Sequence, residues 1–158
     1  GRRKDYLQEI ASGRHAALVM APPCETHTRA RHSNRNGPAP LRSHALPRGL
    51  PNLSPAHQEQ VRKSNLLADF AIEAFATAVD AGVLTVLEFP EDLGPARIGH
   101  PASLWQSPKL KALESRGAVR GAIIKTPDEL ALRSVRVTTV EYRFPHCISP
   151  LPFVVKPP

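Results

Sequence analysis

The chain has 158 residues, 41% of them hydrophobic, with 21 Lys+Arg against 14 Asp+Glu, a formal net charge of +7 and a pI near 10.0. A length of this order gives one domain with room for a core, and the charge favours polyanions, nucleic acid ahead of anionic membrane. No apolar run approaches the ~20 residues of a spanning helix, and two distant cysteines make no disulfide framework. With a polar start and no apolar leader, the chain reads as intracellular, a nuclear setting included. The abrupt start at Gly1-Arg2-Arg3-Lys4 and the end at Lys156-Pro157-Pro158 read as the borders of an excised domain or fragment.

In chain order, residues 4–13 have helical spacing, with Tyr6, Leu7 and Ile10 on one face and Gly13 as a C-cap. Ala16-Ala17-Leu18-Val19-Met20 is a short continuous apolar run and predicts a buried strand. Residues 25–55 have no period and are rich in Arg and Pro, which predicts a long basic loop. Many of the 17 prolines fall here and after Pro145. Ser54-Pro55 is a helix start, with Ser54 as N-cap and Pro55 in the first turn. Val61, Leu67, Phe70, Ala71, Ala74, Phe75, Ala78 and Val79 give that helix a wide apolar stripe, read as core, and Gly82 ends it. Residues 83–89 predict a second buried strand, and the repeat of helix then strand predicts that the two strands are parallel. Ser107-Pro108 starts a short helix through Leu113, and residues 118–124 and 135–144 are further strand candidates. The fold class expected is α/β.

Ligands of open α/β sheets bind outside the carboxyl ends of the strands. Cys24 follows the first predicted strand after the stiffening pair Pro22-Pro23, and Glu88 closes the second. A thiol and a carboxylate converging at one sheet edge suit a nucleophile and its acid partner. The plainer readings are a small buried cysteine and a solvated carboxylate.

These residues resemble those of the cytosine-5 DNA methyltransferases, whose Pro-Cys and Glu-Asn-Val motifs end successive strands. The likeness is closer to a divergent branch found in mobile-element and protist genomes. It runs in order through Pro22-Pro23-Cys24-Glu25-Thr26-His27-Thr28-Arg29-Ala30-Arg31, Gly37-Pro38-Ala39-Pro40-Leu41-Arg42, Gly49-Leu50-Pro51, Glu88-Phe89-Pro90, Ser103-Leu104-Trp105, and Phe144-Pro145-His146-Cys147 with Lys156-Pro157. The resemblance implies a partial doubly wound, mainly parallel sheet of the S-adenosylmethionine-dependent methyltransferase type, filling residues 1–158 as a single domain. It implies that the Cys24 thiolate attacks carbon 6 of a flipped cytosine while Glu88 holds ring nitrogen 3, with S-adenosylmethionine as methyl donor and DNA, or RNA, as partner. Substrate or nucleic-acid contacts are expected of Arg29, Arg31 and Arg42, and Arg29 and Arg31 can also favour the thiolate.

The glycine-rich cofactor turn of that family is not found in the chain, so its N-terminal cofactor-binding part is expected to be missing and the cofactor site incomplete. Phe89 stands where the family has Asn, and the second half holds no Gln-x-Arg-x-Arg. Ala21 cannot play the part of the Asp, Asn or Ser that precedes Pro-Pro-Tyr in amino-methyltransferases. The alternative function is a catalytically dead basic nucleic-acid-binding module of a mobile element. Cys24, His27 and His32, with His146 and Cys147, match no strong zinc spacing, so no metal is expected. A Cys24–His27 hydrolytic dyad is also disfavoured by the closeness of the two residues in sequence. Trp105 reads as a packing anchor.

Overall fold

A computed structural model describes residues 1–33, 36–116, 119–125 and 132–138. Helix α1 (Arg2–Ala11) leads through Gly13, at φ +66°, into strand β1 (Ala17–Met20). The long helix α2 (Pro55–Asp80) follows, then β2 (Leu84–Pro90), α3 (Pro108–Ser115), β3 (Val119–Lys125) and β4 (Leu132–Thr138). The strands make one sheet in the order β1-β2-β4-β3. β1 and β2 are parallel, as the helix-then-strand repeat predicts, with Ala17 beside Leu84 and Met20 beside Leu87. β4 runs antiparallel to both β2 and β3, so β1, β2 and β3 share one direction and β4 alone is reversed. The architecture is mixed α/β. Of the last predicted strand, residues 139–144 lie outside the described residues, as does the Pro-rich end.

Local chemistry accounts for the helix ends. The Ser54 hydroxyl accepts from His57 N–H at 3.3 Å, satisfying a donor that the first turn of α2 leaves without an intrahelical partner. Gly82, at φ +70°, lets the chain turn out of the helix into β2.

The core forms where α2 crosses the sheet. Phe75 and Leu87 are fully buried, and they cluster with Ala71, Ile72, Phe89, Leu104, Trp105, Leu110 and Leu113. A second cluster joins Ile10 of α1 to Ala74, Ala78 and Val83. Trp105 is an anchor: its Nε1–H donates to Pro90 O at 2.8 Å, its ring meets Phe89 edge-on, and the Arg136 guanidinium lies 4.4 Å from the ring centre.

Two expectations need correction. β1 is not buried: it alternates between exposed and half-buried residues, and Val19 is 72% exposed. The reason is topological, since β1 is an edge strand, and its half-buried residues Leu18 and Met20, level with Thr85 and Leu87, are the ones that pack toward α2. The stripe on α2 is also narrower than its sequence implied: Leu67 is 48% exposed, whereas Val61, Ala68, Ala71, Ile72, Ala74, Phe75 and Ala78 are buried. Leu67 lies beyond the arc of helix that meets the sheet.

Candidate active site at the sheet edge

Cys24 follows β1 in the next loop, and Glu88 lies in β2, the strand that pairs parallel with β1. The last registered pair of β1 and β2 is Met20–Leu87, so the chain leaves β1 level with Glu88. Pro22 and Pro23 then carry it to Cys24, whose carbonyl accepts from His27 N–H at 2.8 Å in a tight turn. The turn sits over the end of β2, because the His27 ring meets Phe89 edge-on with centroids 5.1 Å apart. Cys24 is half-buried and packs against the α2-side cluster.

Glu88 is not at the strand exit: β2 pairs with β4 as far as Pro90, placing Glu88 inside the strand, opposite Val135. Along β2 the buried positions are Thr85, Leu87 and Phe89, so Glu88 alternates to the face away from α2. The nucleophile candidate and the carboxylate candidate therefore lie toward opposite faces of the sheet, Cys24 packed on the α2 side and Glu88 on the other.

The segment 25–54 is a long loop, as its composition predicts, and among its described residues it is ordered by side chains rather than by regular structure. Thr28 caps a short 3₁₀ turn, Arg29–His32, and arginines bind the segment together. Arg29 donates to Gly94 O at 2.8 Å and Pro95 O at 2.7 Å. Arg31 donates to Glu25 O and Ala39 O, each at 2.9 Å. Arg48 makes a two-pronged ion pair with Asp69 at 2.6 and 3.0 Å. Arg42 is buried, 1% exposed, so it meets a ligand only through the cavity beside it. The composition missed this because a guanidinium has five donors in a fixed fork and can replace regular backbone pairing with carbonyl contacts.

His27 joins this framework. Arg42 Nη1 donates to its Nε2 at 3.0 Å, which leaves the ring proton on Nδ1, 3.3 Å from Thr26 Oγ1, and Thr26 in turn bonds Ser64 at 2.8 Å. Burial first, and the Arg42 charge second, push the imidazole down to a pKa of about 3. With both ring nitrogens occupied and the ring held neutral, His27 is not placed as a base for Cys24. Among the described residues no cluster of His, Cys, Asp and Glu is arranged to hold a metal. His146 and Cys147 lie outside them.

The cavity at the carboxyl end of β2, between His27, Phe89, Glu91 and Ser103, measures about 20 Å³. That is room for about one water, and neither a nucleobase nor a cofactor fits it as it stands. No helix among the described residues is long and apolar enough to cross a membrane. The chain matches no family model, and no curated protein or solved structure is similar to it.

Proposed function

We propose that this chain is a DNA cytosine-5 methyltransferase-like domain supplying the thiol and the carboxylate of the reaction. The observation that supports the reading is the parallel pairing of β1 with β2, which makes the strand before the Pro-Pro-Cys loop the neighbour of the strand that holds Glu88. The parallel pair β1–β2 is the part of the sheet that a doubly wound fold would share, whereas β4, an interior strand, pairs antiparallel with both β2 and β3.

The residues present do not make a site for S-adenosylmethionine. The sequence holds no glycine-rich turn, and the cavity at the carboxyl end of β2 admits about one water. No step is assigned to that group. The chain's own residues can act on the base. The Cys24 thiolate adds to carbon 6 and forms a carbon–sulfur bond. The ring's electron pair shifts toward nitrogen 3, where the Glu88 carboxyl donates a hydrogen bond or a proton. The base must leave the duplex stack for this to happen.

The test uses a DNA duplex carrying a cytosine analogue without the 4-amino group, whose carbon 6 takes a thiolate with no methyl donor present. The expected result is a protein–DNA adduct seen by mass spectrometry, absent in Cys24→Ser and reduced in Glu88→Gln. A folded wild-type chain that forms no adduct refutes the assignment.

A further inference from the structure

Among the described residues the buried Arg42 has no anionic partner. Its Nη1 serves three uncharged acceptors, His27 Nε2 at 3.0 Å, Pro47 O at 2.7 Å and Asn65 Oδ1 at 3.0 Å. Its Nε and Nη2 are buried and have no hydrogen-bond partner. These two nitrogens form one edge of the planar group, the edge that presents two parallel N–H bonds to an oxyanion. Burial, followed by the like charge of Arg48, lowers the pKa to about 10, which still leaves the side chain cationic at neutral pH. A buried charge without a counter-ion and with two unmet donors is costly, and folds retain such groups where a ligand completes them.

Arg42 lines a cavity of about 400 Å³, within the size range of small-molecule sites. Arg48 and Asp69 stand on its wall and neutralise each other, while Lys111, on the same wall, adds a second cation with no ion pair among the described residues. Ser107 and Pro108, at the start of α3, are also on the wall, and the Ser107 side chain makes no capping bond. The positive end of α3 therefore adjoins the same space.

We infer that this cavity is a phosphate site for a terminal phosphomonoester, held by the charges of Arg42 and Lys111, with the Arg42 Nε–Nη2 edge, sealed from water in this structure, turning to meet two phosphate oxygens on binding. Two net positive charges match a phosphomonoester, nearly dianionic at neutral pH, whereas a carboxylate would leave one cation unmatched. The phosphate can come from the 5′ end of a nucleic acid or from a small free phosphomonoester, and the chemistry is shared. The inference is independent of any role for Cys24.

The experiment is calorimetric titration of the whole chain at constant ionic strength with inorganic phosphate, a 5′-phosphorylated oligonucleotide and the same oligonucleotide without that phosphate. Phosphate is expected to bind. Arg42→Lys should weaken it about tenfold or more, and Lys111→Ala, an exposed position that does not threaten folding, a few-fold. If Arg42→Lys melts non-cooperatively, Lys111→Ala and Ser107→Ala decide. Stronger binding of the phosphorylated oligonucleotide assigns the site to a nucleic-acid end, and equal binding of phosphate alone assigns it to a small phosphomonoester. The inference is overturned if a cooperatively folded wild-type chain does not bind phosphate, or binds it equally well in the variants that fold.

Discussion

Replacing His27 by Gln should flatten the acid dependence of stability. In the folded chain His27 is 8% exposed and held neutral, with a pKa pushed down from 6.5 to about 3 by burial and then by Arg42. The unfolded chain binds a proton near pH 6.5 and the native chain does not, so the unfolded state gains protons first as pH falls. The stability this residue contributes is complete above pH 6.5 and is lost between 6.5 and about 3. The slope is about 1.4 kcal/mol per pH unit, so around pH 5 the loss is about 2 kcal/mol. That is a large part of the stability of a small domain. His32 is shifted down as well, chiefly by burial, and adds a loss of the same sign, so wild type alone does not isolate His27. Gln can still accept from Arg42 but has no proton to gain. Urea unfolding followed by circular dichroism, at neutral pH and around pH 5, gives two stabilities for each protein. The expected result is that His27→Gln loses about 2 kcal/mol less than wild type across that interval. An equal loss in both proteins would show that His27 is not held neutral by its surroundings, and would remove the Arg42–His27–Thr26 relay as an account of this loop.

Other substitutions probe the fold and the site. Gly49→Ala should destabilise by about 1–3 kcal/mol in chemical denaturation, since φ is +127° and an added Cβ would lie 2.8 Å from Val61 Cγ1. Phe75→Ala, at a fully buried position in the α2–β2 contact, should cost about 3–5 kcal/mol in the same assay. Trp105→Phe removes the donor to Pro90 O and should cost about 1 kcal/mol. The chain has one tryptophan, so its fluorescence in the wild-type protein reports on the same core during unfolding. Asp69→Asn should change stability by no more than about 1 kcal/mol, because Arg48 and Asp69 are both largely exposed. The same change should tighten phosphate binding by leaving Arg48 unneutralised, and an unchanged affinity would count against a charge-driven site.

The sequence by itself determined the elements that depend on neighbours along the chain. Ser54-Pro55 and Gly82 fixed the ends of α2 because caps and left-handed glycines act within a turn of the residue itself. The apolar runs at Leu18 and Leu87 marked two strands, and the helix between them implied their parallel pairing, since a parallel crossover needs a connection of that length. The same pattern placed Cys24 after the first of these strands and Glu88 in the second. Tertiary structure alone decided the rest. Strand order made β1 an edge and exposed Val19, which no local pattern encodes. The pairing of β2 with β4 through Pro90 put Glu88 inside the strand, and alternation then sent it to the face away from α2. Arg29, Arg31 and Arg42 looked alike in a basic loop, yet the first two bind backbone carbonyls while Arg42 is buried with half of its guanidinium unmatched. Charge is a property of composition, but whether a cation meets water, a carbonyl or an empty cavity is set by residues distant in the chain, because desolvation depends on everything packed around the group.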